Sequence, residues 1–347
     1  MTASRIGAVL AILAASAASA AAAETPAAPP APAPAGAAGS KPQDLPFVEM
    51  KPEALQALKS VQDFIAKHQK PDGSFAREKD PGEDALCLLA LMVGGSGSGV
   101  GPYGKEIAQG VNYLVGLQDG TGFFPSQNPQ HGMYGHALAT LLLTEVWGMS
   151  RQPEMKDRLR KAVQLIVDCQ NRNGGWSYFP KIEDRTDLSV TVMQTMAVRS
   201  AVDAGIFVPQ VTIEKAVKAI KGCYSEKEGG FGYTGPNDVK FSTTGAGLAA
   251  LQTVGVYRDR TIEQAIRYLQ ANAFGSKKEW FWYGHYYISV AMYHEGGPAW
   301  EEYYPKVLRH ALDAVGSRSH RNLPLWENCF MALVLGMPCR YIPIYQR

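Results

Sequence analysis

The sequence predicts an all-α fold, an α/α toroid ((α/α)6 barrel) of six helical hairpins with twelve main helices. Three observations predict it. A short phrase, consisting of a Gln, a polar turn with Gly and then an aromatic, recurs along the chain; an amphipathic segment precedes each copy; and a more apolar, small-residue-rich segment follows it. The recurrence has a period near 50 residues, room for two helices and two connections.

The phrase reads Gln69-Lys-Pro-Asp-Gly-Ser-Phe75, then Gln118-Asp-Gly-Thr-Gly-Phe123, then Gln170-Asn-Arg-Asn-Gly-Gly-Trp176, and more loosely Glu226-Lys-Glu-Gly-Gly-Phe231. Two degenerate copies centre on Trp280 and Trp326. Aromatics at 75, 123, 176, 231, 280 and 326 are separated by 48, 53, 55, 49 and 46 residues, so six copies imply twelve helices. The amphipathic segments Leu55 to Gln69, Lys105 to Gln118, Asp157 to Gln170, Ile213 to Tyr224, Ile262 to Ala273 and Tyr304 to Val315 repeat apolar residues at three and four, which suits outer helices half in water. The segments Asp84 to Val93, Tyr134 to Trp147, Leu188 to Ala204, Thr243 to Val254, Tyr286 to Tyr293 and Trp326 to Leu335 are apolar all round, as inner helices must be. Gly94-Gly95, Gly148, Gly205, Gly255 and Gly296-Gly297 fall where these inner helices should stop. The phrase aromatics are expected to pack between neighbouring hairpins.

Ahead of the repeats, Arg5 is followed by an apolar, alanine-rich run with no acidic residue before Glu24. This is the pattern of a signal peptide over residues 1–23, with small residues suiting cleavage after Ala20 or Ala23. Residues 24–44, rich in Ala and Pro, form an expected disordered linker, and 45–347 the toroid. The expected location is therefore periplasm, cell envelope or medium, with no stable membrane span once the signal is removed. A formal charge of +2 gives no basic footprint for nucleic acid or an anionic membrane. Five cysteines without a Cys-x-x-Cys pair do not suggest a disulfide scaffold or a metal knuckle, although export permits a bridge such as Cys329 to Cys339. No cofactor is expected.

The stretch Gln170 to Trp176 with Asp187-Leu-Ser-Val-Thr-Val-Met-Gln-Thr-Met-Ala-Val-Arg-Ser-Ala201 resembles the repeat and following inner helix of the prenyltransferase and squalene oxidase repeat family, which includes squalene cyclases and protein prenyltransferases. Gly132 to Glu145, Tyr283 to Tyr293 and the terminal Arg340-Tyr-Ile-Pro-Ile-Tyr345 resemble its exported bacterial single-toroid members. The resemblance covers residues 50 to 347 and implies the toroid fold. The family's cyclases protonate an alkene through Asp-x-Asp-Asp, which this chain lacks, and the Asp, Cys and His zinc ligands of the prenyltransferases do not stand here in the expected order. The Gly-Cys-x-Glu-Gln motif of thioester toroids is also missing.

In such a ring the inner-helix N-termini meet at one mouth, where their dipoles favour negative charge. Asp84 and Asp187 are the candidate catalytic acids, and Glu83, Tyr134, His136, Gln194, Thr243, Tyr283, His285, Tyr286 and Glu327 the candidate cavity residues. Asp84, Asp187, Ser242 and Glu327 also suit helix capping. His136 and His285 with Asp187 form a conceivable zinc set, against a plainer role as buried histidines. Three functions follow. One is a binding toroid holding a hydrophobic, isoprenoid-like molecule or a peptide or protein in its central cavity. Another is an isoprenoid-processing enzyme with Asp84 or Asp187 as acid, and the last a polysaccharide-acting enzyme with those carboxylates paired. The lining decides among them: apolar for an isoprenoid, paired acids for a sugar, side-chain-filled for a binding module.

Overall fold

A computed structural model describes residues 50–344 apart from 152, 276–279 and 343. The signal peptide, the linker and Tyr345 of the terminal motif lie outside the described residues. Among the described residues there are twelve α-helices, in six pairs. The outer helices are α1 (Pro52–Ala66), α3 (Gly104–Leu117), α5 (Pro153–Asp168), α7 (Gln210–Lys221), α9 (Arg260–Asn272) and α11 (Gly297–Gly316). The inner helices are α2 (Pro81–Met92), α4 (Gly132–Ser150), α6 (Leu188–Asp203), α8 (Phe241–Thr253), α10 (Phe281–Glu295) and α12 (Leu325–Gly336). Each inner helix touches the next in that order, and α12 returns to α2, so the ring closes. Outside this ring, α1 packs against α11 and α12.

The two layers follow from side-chain pattern. On α9 the buried residues are Ile262, Ala265 and Leu269, one stripe at three and four. On α12 every residue from Asn328 to Gly336 is buried, because an inner helix has neighbours on both flanks, an outer helix behind it and the ring axis in front.

The repeated phrase is the joint between hairpins. Gln69 Nε2 donates to the Gly73 carbonyl at 3.0 Å and to the Glu106 carbonyl of α3 at 2.8 Å. Gln118 does the same to Gly122 and Arg158, and Gln170 to Gly174 and Thr212. Each amide thus ties its own turn to the first turns of the next outer helix. Gly174 has φ +89°, and a Cβ there would stand 2.2 Å from the Lys215 carbonyl oxygen, so the turn needs glycine for both conformation and approach.

The aromatic that fills the crevice lies two residues beyond this glycine. Phe75, Trp176 and Phe231 are buried as expected, and Trp176 donates its indole N–H to the Ile166 carbonyl at 2.7 Å. In the second copy the buried ring is Phe124 rather than Phe123, which is only half-buried. Trp280 does not pack between hairpins: it is 57% exposed, with Trp326 against it at 5.2 Å between ring centroids.

The glycine stops fall at Gly95, Gly205, Gly255 and Gly296, all with positive φ. At Gly148 the helix runs on to Ser150 and ends at Arg151, whose left-handed backbone is held by its guanidinium over the Trp147 ring and a bond to the Ala204 carbonyl. Cys329 lies on α12 against Cys87 of α2, 3.5 Å between sulfurs. The expected neighbour Cys339 stands instead in a 3-10 turn after α12.

Candidate functional site

The ring axis is nearly full. Leu86 and Leu89 of α2, Leu138 and Leu141 of α4, Met193 and Met196 of α6, Tyr286 and Tyr287 of α10, and Phe330 of α12 line a cavity of about 10 Å³. That is room for about one water molecule. Tyr286 therefore lines the axis, as the sequence suggests, but as part of the plug.

Chemistry concentrates one layer higher, at the inner-helix N-termini. The third residue of each inner helix stands at this level: Glu83, Tyr134, Val190, Thr243, Tyr283 and Glu327. Burial, with Asp80 and Asp84 nearby, pushes the Glu83 carboxyl up, and burial does the same to Glu327, which accepts from the Trp282 N–H at 3.4 Å. Asp187 caps α6, its Oδ1 accepting from the Ser189 and Val190 N–H groups and the Ser189 hydroxyl, while Oδ2 accepts from the Tyr178 hydroxyl at 2.7 Å. Tyr178 is bonded in turn to Tyr233, and Ser189 to Tyr134. Burial raises the Tyr134 and Tyr283 hydroxyls well above the usual phenol range. The Tyr283 hydroxyl is buried close to Asp187, Tyr233 and Ser189.

Other candidates serve the scaffold. Asp84 is 1% exposed, and its Oδ1 accepts from the Phe75 and Ala76 N–H groups at 2.6 and 2.9 Å. Burial pushes its pKa up to about 6, and Oδ2 finds no partner among the described residues. It does not cap α2; Asp80 does, accepting from the Gly82 and Glu83 N–H groups while its other oxygen meets His131 at 2.8 Å. Thr243 closes the capping box at Lys240, the role foreseen for Ser242. Gln194 bridges inner helices by donating to the Met133 carbonyl at 2.8 Å.

The histidines face outward. His136 donates through Nε2 to the Ala162 carbonyl of α5 at 3.0 Å, between Phe123 and Phe124, and burial lowers its pKa to about 4. His285 is bonded through Nδ1 to the Tyr303 hydroxyl of α11 at 2.9 Å. The two rings thus meet different outer helices while Asp187 stays at the mouth, so the zinc set does not assemble. Among the described residues no group of three or more His, Cys, Asp or Glu is placed to hold a metal ion.

Sequence reasoning missed Tyr178 and Tyr233, and it read Trp280 and Trp326 as phrase aromatics without pairing them. A signal for the first two was present: Tyr178 and Tyr233 each stand two residues beyond the buried aromatic of their copy, where the first two copies have Arg77 and Ser126.

Fold and site together define a closed α/α toroid with a filled axis and an aromatic, acidic, hydroxyl-rich mouth. Residues 59–278 match the model of the prenyltransferase alpha-alpha toroid domain, and the chain belongs to that family. No curated protein matches. Among solved structures, an alpha-amylase from Clostridium perfringens is similar with a TM-score of 0.58 at 11% identity, covering 83% of this chain and 99% of that one. An inactive variant of an alpha-1,6-mannanase from Salegentibacter sp., in complex with alpha-1,6-mannotetrose, gives 0.57 at 7%, covering 82% and 98%. Cellobiose 2-epimerase from Bacillus thermoamylovorans gives 0.55 at 10%, covering 77% and 87%. At these identities the likeness is one of fold.

Proposed function

We propose that this chain is an exported binding domain that grips a peptide segment of a partner protein at its N-terminal mouth, without chemistry in the ring. The observation that carries this reading is the filled axis, with a residual cavity of about 10 Å³ beneath a mouth that displays Trp280, Trp326, Glu83 and Glu327. A flat exposed indole suits an apolar side chain. The two half-buried carboxylates suit peptide N–H and cationic groups. Export is supported by the apolar leader at residues 1–23 and the Ala/Pro spacer that follows it.

Both enzyme readings lean on Asp84 and Asp187. Their burial and their engagement with backbone and tyrosine donors weigh against either as a proton donor to substrate or as half of a glycosidase pair. A second reading retains support from the apolar lining of the axis, where Met193 and Met196 are flexible enough to yield to an isoprenoid-like tail.

Native mass spectrometry of the protein taken from its own envelope fraction, paired with lipid extraction, separates the two. The expected result is a polypeptide complex that Trp280→Ala dissolves. A co-purifying lipid or oligosaccharide with no polypeptide would overturn the proposal.

A further inference from the structure

The ring is closed where the ends of the domain meet, at the seam between the first and last inner helices, α2 and α12. Cys87 and Cys329 face each other across that seam. Their sulfurs are 3.5 Å apart, they are separated by 242 residues of chain, and both side chains are wholly buried. A disulfide needs about 2.05 Å between sulfurs, so closing the remaining gap asks for small side-chain rotations and no change in the order of the helices. None of the other cysteines shares this arrangement: Cys169 and Cys223 follow different outer helices, and Cys339 follows α12.

We infer that Cys87 and Cys329 form a disulfide that staples the toroid shut, made while the chain folds. Timing follows from burial. In the folded ring both thiols are sealed from solvent, and burial with the neighbouring Cys329 holds the Cys87 thiol well above its ordinary pKa, so no attacking thiolate is presented once the seam is packed. During folding either thiol is still accessible to a small-molecule disulfide. One thiolate attacks it, releasing one small thiol and leaving a mixed disulfide. The second thiolate attacks the protein sulfur of that adduct and releases the second small thiol. Two protein thiols are oxidised by two electrons, the small disulfide is reduced to two thiols, and the seam packs over the new bond. Once buried, the bond is also screened from reductants, so it acts as a permanent staple rather than a switch.

The test is to refold the full chain from denaturant in a mixture of oxidised and reduced glutathione, and in a parallel sample with reductant alone. Each is then unfolded again in the presence of an alkylating agent and measured by intact and peptide mass. The expected result is that the oxidised sample takes up alkyl groups on Cys169, Cys223 and Cys339 only, with the peptides of Cys87 and Cys329 joined. The same sample should unfold at a higher denaturant concentration than the reduced one. Cys87→Ala and Cys329→Ala should each abolish the difference between the two buffers. Alkylation of all five cysteines after oxidative refolding, or a link that joins any other pair, would overturn the inference, and both readouts come from the unaltered chain even if a variant fails to fold.

Discussion

Replacing Asp84 by Asn isolates the role of the most perturbed carboxylate at the mouth. Its Oδ1 anchors the first turn through the Phe75 and Ala76 N–H groups, and an Asn Oδ1 can accept the same two bonds. What the variant removes is the proton. Burial raises the pKa from 3.8 to about 6, so between those values the folded chain holds a proton that the unfolded chain has released. Stability from this group is therefore fully present below about pH 4 and falls as pH rises toward 6. A shift of about two units corresponds to about 3 kcal/mol. The difference in unfolding free energy between Asp84→Asn and the parent should thus move by about 3 kcal/mol in favour of Asn from pH 4 to pH 8. Any fixed cost of the new amide cancels in that slope. Urea titrations followed by tryptophan fluorescence, run in one buffer series, give both curves. A difference that stays flat across the range would refute the account of Asp84 as a desolvated anchor.

Glu145 offers a parallel case: it is buried on α4, takes the Ser200 hydroxyl at 2.7 Å, and burial raises it from 4.5 to about 7. Glu145→Gln should gain about 3 kcal/mol on the parent between pH 4.5 and pH 8 by the same titration, its benefit lost as pH falls through the window. Gln170→Ala removes two bonds of 2.9 and 2.8 Å and should lower unfolding free energy by roughly 1–3 kcal/mol; a neutral result in urea would deny the amide its part in the joint. Gly174→Ala should cost at least about 2 kcal/mol from backbone strain and the clash with Lys215. Gly116→Ala, where a new Cβ meets nothing within 4 Å, should be neutral or gain up to about 0.5 kcal/mol in the same assay.

The ring was legible because each repeat writes two different periodicities side by side. The helix starts were less so. The tenth helix begins at Phe281, five residues before the expected Tyr286, because Phe-Trp-Tyr-Gly has poor intrinsic helix propensity and tertiary packing overrides it. Phe123 was taken for Phe124 because two adjacent rings satisfy the phrase equally, and only the distance from the positive-φ glycine separates them. His136 and His285 were placed in the cavity because an inner helix is apolar all round and carries no signal of which side faces the axis. Both are the fifth residue of their helices, and the fifth residue points back to the outer layer.

Internal symmetry then separates scaffold from site. The fourth residue of an inner helix anchors the loop before it: Asp84 accepts from the Phe75 N–H, Thr191 from Trp176, Thr244 from Phe231, while Asn328 donates to the carbonyls of His320 and Pro324. Asp84 thus does the work that threonine does in two other repeats, and its acidity is incidental to that work. Where glycine takes the fourth place, as at Gly135, the loop is held from elsewhere, the Gln127 N–H reaching the Lys79 carbonyl at 2.7 Å. The third residue obeys no such rule. Glu83, Tyr134, Tyr283 and Glu327 differ in chemistry from repeat to repeat, and only Thr243 among the third residues closes a capping box. On the proposed reading the search for a ligand therefore begins with those four residues rather than with the buried acids, which the scaffold already uses.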